Sequence, residues 1–476
     1  MTDIRSHVIR KNIVGALIIV VFSTLIFTIP QFFGKSIDTT LALSTIVMIS
    51  IYVVLSFDII QRTAIALLGA AILMASVITL GVVTPQHTLD FIIELIDFNT
   101  IGLLLGMMII VAILGETGIF NWVAVKATQL SRGNPWRLMI ILCTFTAIVS
   151  AFVDNVTVIL LMVPVTLTIF RFLNRSPFPY IISQTMSSNI GGAATLIGDP
   201  PNIIIGSAAN IDFNSFIIGM GPTVAITFVS SLFVLRFLFA SELKTGFDVK
   251  VIEKFQDENL VRDKNLLKKS LAILAAVIFF FTIQGVIGIE VSLIAFTGAA
   301  VLLVITRINV EKVLHEVDWS TLLFFAGLFI VIGIFAEAGG IEILSSTVIG
   351  ITGGDPWSTF LSIIWLSAIA SGFVDNIPFT VTMTPLIENL EHNAEIVAGF
   401  GHHSINPLWW ALALGADFGG NLTLIGSSAG VVAAGISAKY GFRLTFNQWF
   451  KVGLPFTIIT VTIGTISLSI FTLLSK

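Results

Sequence analysis

The chain has 476 residues, of which 56% are hydrophobic and only 11% are charged, with a formal net charge of −4. Soluble domains carry about 25% charged residues, so this composition excludes an ordinary soluble enzyme, and the scattered basic residues exclude a nucleic-acid-binding protein. The single cysteine, Cys143, excludes an internal disulfide and a multi-cysteine metal site. Apolar runs of about 20 residues recur, each long enough to span a bilayer as a helix. We therefore expect an all-α polytopic membrane protein without a bound cofactor.

The first half of the chain predicts an extra helix followed by a first repeat. Residues 1–40 predict the N-terminal extra helix, and the basic residues that precede its apolar run place this terminus in the cytoplasm. Repeat 1 is predicted at 41–240, with a re-entrant hairpin at about 136–171 and a broken helix at about 178–210. Its other spans are predicted at about 41–57, 63–83, 98–118 and 215–238.

The second half predicts the same series again. A mixed-charge run at 241–269 predicts a solvated cytoplasmic linker. Repeat 2 follows at 270–476, with a hairpin at about 357–390 and a broken helix at about 407–438. Its other spans are predicted at about 270–288, 291–306, 319–338 and 447–474. Of 24 Lys and Arg residues this topology leaves only Lys35 and Lys476 outside, so 24 − 2 = 22 are cytoplasmic, as the positive-inside rule requires.

Two pairs of segments match closely and define the repeat. SAFVDNVTVILLMVP at 150–164 corresponds to SGFVDNIPFTVTMTP at 371–385, a spacing of 371 − 150 = 221 residues. GGAATLIG at 191–198 corresponds to GGNLTLIG at 419–426, a spacing of 228 residues. The span before each unit runs in the opposite direction, so the repeats are inverted. Inverted repeats with paired broken helices are typical of secondary transporters, which bind their solute near the membrane midplane between the repeats.

Four polar interruptions of the apolar pattern are the candidate site. They bring four aspartates into one predicted layer at membrane depth, where a carboxylate is costly and usually functional. The alternative is that each Asp only caps a helix N-terminus and each Asn satisfies loose backbone. The predicted ion- or solute-binding residues are Asp154, Asn155, Thr157, Thr195, Asp199, Asn202, Asp375, Asn376, Asp417, Asn421 and Thr423.

The charge of this site predicts the kind of solute. No Lys or Arg lies within the four interruptions, and a multiply charged organic anion would need cationic groups, bound cations or several helix N-termini. Mutual repulsion of the carboxylates favours a coupling ion, H⁺ or Na⁺. Pro200 and Pro201, together with the glycines of the two TLIG segments, are expected to unwind both broken helices and to free backbone carbonyls for cations.

Five stretches carry a family resemblance: AFVDNVTVILLMVPVT, GGAATLIGDPPNIIIGSAANI, DWSTLLFFAGLF, DNIPFTVTMTPL and LWWALALGADFGGNLTLIGSSAGVV. Over roughly residues 40–470 the chain resembles the ion transporter superfamily, and within it the permeases related to ArsB and the P protein. The resemblance implies a transport domain that carries the hairpins and broken helices, and a scaffold that carries the other spans. Dicarboxylate relatives have Ser-Asn-Thr at each hairpin tip. This chain has Asp154-Asn155-Val156 and Asp375-Asn376-Ile377, which argues against carboxylate transport.

The resemblance implies two candidate activities. The preferred one is alternating-access, proton-coupled efflux of arsenite or antimonite across the cytoplasmic membrane, because arsenite near neutral pH is an uncharged trihydroxide that hydroxyl, amide and carboxylate groups can bind. The other is Na⁺/H⁺ antiport of the NhaD or P-protein type, or sodium-coupled anion permeation. An ion channel is the non-transporter alternative. An enzyme is not expected, because no nucleophile–base or metal-ligand pair lies within a span.

The expected partners follow from the same sequence features and from the family resemblance. They are a small inorganic solute or cation and membrane lipid, with no nucleic acid. The resemblance also implies a homodimer formed through the scaffold spans, and a cytoplasmic ATPase subunit could bind the linker at 241–269.

Overall fold

The structure, a computed structural model, describes residues 38–57, 60–247, 260–401 and 403–474. The predicted N-terminal helix and the centre of the linker lie outside these residues. The described residues form 21 α-helices and one short 3₁₀ turn, and they contain no β-strand. Eight of these helices are long and apolar enough to cross a membrane. The predicted all-α polytopic fold is confirmed.

The helices follow the order that the sequence predicts, and their bounds are as follows. In the first half they are α1 Thr39–Phe57, α2 Arg62–Thr79, α3 Thr88–Leu95, α4 Phe98–Glu116, α5 Ile119–Ser131, α6 Pro135–Ser150, α7 Asn155–Phe172, α8 Phe178–Gly192, α9 Pro200–Ala208 and α10 Phe213–Leu238. In the second half they are α11 Lys264–Ile287, α12 Val291–Thr306, α13 Val310–Glu316, α14 Trp319–Glu337, α15 Gly340–Thr352, α16 Pro356–Val374, α17 Asn376–Glu391, α18 Ala394–Phe400, α19 Pro407–Gly419, α20 Ser428–Lys439 and α21 Phe446–Leu474.

The internal repeat extends to the ends of the helices. Adding 221 to the bounds of α4 and α5 gives the bounds of α14 and α15 without an offset. Helices α6 and α7 form the first hairpin, and α16 and α17 form the second. Each broken helix is interrupted over several residues, between α8 and α9 in repeat 1 and between α19 and α20 in repeat 2.

The two repeats pack against each other through the same kind of glycine contact at two equivalent positions. A Cβ on Gly106 of α4 would lie 2.6 Å from the backbone carbonyl carbon of Ala295 on α12. A Cβ on Gly327 of α14 would lie 2.9 Å from that of Ala66 on α2. Only glycine permits so close an approach of two helix backbones, and such contacts are a common basis of helix packing in membranes. The second helix of each repeat therefore packs against the other repeat.

The helices divide into two packed groups. Helices α1–α4 and α11–α14 contact one another and form the scaffold, whereas α6–α10 and α16–α21 form the transport domain. The amphipathic helices α5 and α15 lie between the groups and pack against the hairpins. This division places both hairpin tips and both helix breaks in the transport domain, where they face the scaffold.

Two local expectations differ from the structure. Helix α11 begins at Lys264, six residues before the predicted span, because Asp263 caps it by accepting bonds from two backbone amides, each 2.9 Å long. The glycines of the TLIG segments do not adopt the positive φ that glycine allows. They permit close packing instead, since a Cβ on Gly191 would lie 2.2 Å from the carbonyl oxygen of Ala147.

Candidate functional site

Each hairpin tip is built around an aspartate that caps the second hairpin helix. Asp154 accepts hydrogen bonds from the backbone amides of Val156 (3.3 Å) and Thr157 (2.9 Å) and from the Thr157 hydroxyl (2.7 Å). Asp375 accepts one from the backbone amide of Ile377 at 3.1 Å and has a φ of +91°. Such a φ is unfavourable for a residue with a side chain, and strained residues often occur at functional sites. Both aspartates are caps, but this leaves part of each carboxylate available for other partners.

Asp199 connects the two tips. It is fully buried at the start of α9 and accepts hydrogen bonds from Asn155 Nδ2 (2.5 Å) and Asn376 Nδ2 (3.2 Å). These donors belong to opposite repeats, so one carboxylate joins both hairpins to a broken helix. The carboxylates of Asp154, Asp375 and Asp417 are also close enough to Asp199 to repel it electrostatically. The four predicted aspartates thus lie close enough together to interact.

Asp417 is the least compensated charge of the site. It is fully buried in the last turn of α19, and neither carboxylate oxygen has a hydrogen-bond partner. The C-terminal end of a helix carries a partial negative charge, and a buried carboxylate without donors is strongly destabilised. The side chain of Asn202 lies beside it and partly offsets its charge, and the Asn202 amide oxygen also lacks a partner. These oxygens are candidate ligands for a cation or a proton.

The remaining predicted residues support the backbone of the site. Thr195 and Thr423 donate their hydroxyl hydrogens to the carbonyls of Ala151 and Gly372, so each ties a helix break to the neighbouring hairpin. The Asn202 amide donates to two carbonyls at the first break, each at 3.1 Å. Whether these side chains also bind a solute stays a prediction.

Sequence reasoning missed Asn189, which lies at the centre of the network. Its Nδ2 donates to Asn421 Oδ1 and to Ser427 Oγ, both at 3.0 Å, and its Oδ1 accepts from Asn155. It is fully buried. A signal was present, because Asn189 is the repeat counterpart of Asp417 (417 − 228 = 189) and Ser427 is that of Asp199 (427 − 228 = 199).

Sequence reasoning also missed Arg62: the four interruptions contain no Lys or Arg, but the structure brings this arginine from another helix to a hairpin tip. Arg62 forms an ion pair with Asp375 and donates to Ser428 Oγ at 2.8 Å. Ser428 in turn donates to Asp375 Oδ2 at 3.1 Å. Arg62 belongs to the scaffold helix α2, 313 residues before its partner. No motif could have linked it to the hairpin, because a single Arg at the start of a span is an ordinary topology signal.

The hairpin tips face a cavity on one side of the molecule. Two adjoining cavities of about 220 and 350 Å³ lie where α4 ends and α14 begins. The first is lined by the carboxylate side chains of Glu116, Asp154, Glu316 and Asp318, and the second includes Arg62. At the start of α4 a cavity of about 250 Å³ is lined by Asn99, Asp212 and Glu290 and by Leu196 of the first helix break, with no hairpin-tip residue. The hairpin tips therefore line the cavities at the end of α4 and not the one at its start.

Four helix N-termini point at the site, those of α7, α9, α17 and α20. A helix N-terminus carries a partial positive charge and is a ready anion site. Here three of these positions are occupied by the protein's own aspartates, namely Asp154, Asp199 and Asp375. The positive ends of the helices are thus already used to hold carboxylates.

Opposed hairpins, paired broken helices and a buried site between two inverted repeats define a multi-pass membrane transporter. The comparisons agree. The family model described as "Citrate transporter" (CitMHS) matches residues 52–415, and this chain belongs to that family.

Its relatives include proteins described as uncharacterized transporters. An uncharacterized transporter of Mycobacterium bovis is 40% identical over 423 residues, which is 89% of this chain and 96% of the relative. The human P protein is 35% identical over 512 aligned positions, which cover 91% of this chain but only 60% of the P protein. The fold is similar to that of the YdaH transporter from Alcanivorax borkumensis, with a TM-score of 0.50 and 13% identity over 81% of this chain and 88% of that one.

Proposed function

We propose that this protein is a secondary transporter in which a cation bound near Asp199 and Asp417 is coupled to alternating access, and that the coupling ion is a proton. The observation that carries the proposal is the state of Asp417, a fully buried carboxylate whose oxygens make no hydrogen bond of normal geometry in the described structure and are supported only by the neighbouring side chain of Asn202. Because Asp199 repels it from nearby, binding one proton would relieve both the missing donor and the repulsion.

Alternating access follows from the inverted repeat. The tips line the cavities at the end of α4 and not the cavity at its start, which fits one of the two conformations that such a transporter needs. The basic residues of the connecting loops support a cytoplasmic position for the open cavity and for the N-terminus. We place the protein in the cytoplasmic membrane, with this side facing the cell interior.

For the solute, the charge of the cavity argues against citrate, although citrate appears in the description of the family. Four carboxylates line the first cavity, Arg62 is paired with Asp375, and Lys312 is paired with Glu116. A tricarboxylate would meet more negative than positive groups. Hydroxyl groups such as those of Thr157, Thr321 and Ser428, together with the carboxylates of the first cavity, suit an uncharged polyhydroxy solute, so the first candidate is efflux of arsenite or antimonite.

Na⁺/H⁺ antiport is the second candidate, and a different observation favours it. Asn155 Oδ1, Asn202 Oδ1 and both oxygens of Asp417 are buried oxygen atoms without hydrogen-bond partners. Hard cations take oxygen ligands of this type. In this case sodium itself would be the transported species, and it would compete with protons for the same carboxylates.

A reconstitution experiment separates these candidates. Purified protein in liposomes that contain a pH-sensitive dye would be exposed to a gradient of arsenite or of NaCl, and proton counter-movement would be recorded. We expect Asp417→Asn to reduce the driven proton flux by about tenfold or more, since each 1.4 kcal/mol of lost coupling corresponds to a factor of ten. Glu337→Gln is the matched control, because Glu337 is an exposed carboxylate at the end of scaffold helix α14.

The possible outcomes of this experiment distinguish the two candidates from each other and from a channel. Proton flux driven by arsenite alone supports the first candidate, and flux driven by sodium alone supports the second. Unchanged flux in Asp417→Asn would remove the carboxylate from the coupling mechanism. Ion conduction without exchange would instead identify a channel.

A further inference from the structure

Arg62 provides a direct ionic link between the scaffold and a hairpin tip. It is the first residue of α2, which packs against scaffold helices α1 and α14. Its partners Asp375 and Ser428 both belong to the transport domain. Of the ion pairs in the described residues, this is the one that joins the two groups of helices. The side chain of Asp375 is 3% exposed and that of Arg62 is 25% exposed.

The other hairpin tip has no such partner. Asp154 accepts bonds only from the first turn of its own helix and forms no ion pair among the described residues. The packing of Gly106 on Ala295 and of Gly327 on Ala66 aligns α2 with α12 at a spacing of 295 − 66 = 229. The counterpart of Arg62 is then residue 62 + 229 = 291, which is Val291. The ion pair therefore breaks the symmetry of the repeats.

Inverted repeats predict what the opposite conformation looks like, because each repeat takes up the surroundings that the other has now. In that conformation Asp375 would lie relative to Arg62 as Asp154 now lies relative to Val291. Asp154 lines the first open cavity and Val291 lines the cavity of about 250 Å³ at the start of α4, so these two residues share no cavity. Movement of the transport domain must therefore separate Asp375 from Arg62. Separating a buried ion pair without compensation leaves an unpaired buried charge and is strongly unfavourable.

From this we infer that Arg62 enforces coupling: it is a scaffold-bound cation that holds the transport domain in the open-cavity conformation until a transported cation, entering toward Asp199 and Asp417, replaces it on Asp375. The inference rests on the second proposed candidate, Na⁺/H⁺ antiport, in which a cation is bound on both halves of the cycle, and extends it to a positioning residue outside the predicted site. An empty transporter stays locked by the pair, so it cannot return without a cation and dissipate the gradient.

Other charged groups around Asp375 favour a positive charge at this position. Asp199 repels Asp375 directly. Asp318 lines the same cavity as Arg62, and Asp417 lies on α19, which packs against α17. Because these groups are all negative, Arg62 is the positive charge that a proton or a sodium ion must displace.

A conformational readout tests the inference without knowledge of the solute. Val432 on α20 is partly exposed and lines both open cavities. Its repeat counterpart, residue 432 − 228 = 204, is Ile204, which is only 3% exposed. A single cysteine reporter, Val432→Cys in a Cys143→Ala background, should therefore react with a maleimide in the open-cavity conformation and be protected in the opposite one.

The reporter protein would be placed in lipid nanodiscs and labelled over a range of NaCl concentration at fixed pH, and over a range of pH with each rate divided by that of free cysteine at the same pH, because maleimide reacts with the thiolate. With Arg62 present, we expect labelling to be fast without cations and to fall by about tenfold or more as protons or sodium ions neutralise Asp375. Arg62→Gln should label slowly throughout and respond little to either cation. Asp375→Asn removes the other partner of the same ion pair and should give the same slow labelling. It allows the test to be made even if Arg62→Gln does not fold.

Lys312→Gln is the matched control, because it removes a positive charge from an ion pair that lies entirely within the scaffold, with Glu116. Its labelling should respond to cations as the parent does. A full response in both Arg62→Gln and Asp375→Asn would overturn the role of Arg62 while leaving coupling intact. If the parent itself responds to neither cation, cation coupling at Asp375 fails, and the inference about Arg62 fails with it.

Discussion

Replacing Asp154 separates a capping role from a role in transport. Asp154 Oδ2 accepts from the backbone amide and the hydroxyl of Thr157, at 2.9 and 2.7 Å, and Oδ1 accepts more weakly from Val156 at 3.3 Å. Asn keeps one side-chain oxygen and caps helices about as well as Asp, whereas Ala at such a position costs about 1 kcal/mol. Asp154→Asn should therefore leave the melting temperature nearly unchanged, and Asp154→Ala should lower it by roughly 2 °C.

The two Asp154 variants should be equally impaired in transport, although they differ in stability. Both variants remove the carboxylate, so both should lose coupled proton flux in liposomes by about tenfold or more, although only one of them loses stability. The measurements are thermal unfolding in detergent and dye-reported flux on the same preparations. Flux that is normal in Asp154→Asn and reduced in Asp154→Ala would refute the reasoning, since it would leave Asp154 as a helix cap alone.

Three further predictions concern packing, the cysteine and pH. Gly191→Ala should destabilise the protein by about 2 kcal/mol or more, because the added Cβ would lie 2.2 Å from a backbone carbonyl oxygen. Gly435→Ala is the control and should not destabilise the protein, because a Cβ there would have no atom within 4 Å. Thermal unfolding of the two variants compares their stability. Cys143→Ala should leave arsenite-driven flux unchanged, because Cys143 is 1% exposed and lines neither open cavity. If the variant lost arsenite-driven flux but kept sodium-driven flux, arsenic would be shown to contact the thiol. Hydrogen bonds from the side chain and backbone of Ser358 hold the pKa of Asp355 below its usual value. The stability that Asp355 contributes is therefore present at neutral pH and is lost as the pH falls below about 4, and Asp355→Asn should remove that part of the acid dependence in unfolding measured from pH 3 to 6.

Much of the fold could be predicted from the sequence because it depends on local signals. Apolar length defines the spans, and the repeated segments around Asp154 and Asp375 define the hairpins. The breaks coincide with Pro200 and with the two TLIG segments, where helix geometry cannot continue. The predicted helix ends were less accurate where the first turn of a helix contains charged residues, as at Lys264, because a charged turn can be helical when it lies beside the membrane.

The candidate site was predicted in part for the same reason. Buried Asp and Asn residues stand out in an apolar chain, so Asp199 and Asp417 could be selected without a structure. Asn189 could have been found by aligning the repeats, since it takes the place of Asp417 in the other half. The asymmetry between the repeats carries the information here, because one copy has an amide where the other has a carboxylate.

The sequence by itself determined that this is a membrane protein with two inverted repeats and a set of polar side chains at membrane depth. These properties depend on composition and on spacing along the chain, which the sequence states directly. Only the tertiary structure decided how those side chains are paired. Asp199 joins two hairpins that belong to opposite repeats, and Arg62 reaches Asp375 across 313 residues. Such pairings depend on which helices pack together in three dimensions, and they determine which carboxylate is neutralised and which one remains to bind a cation.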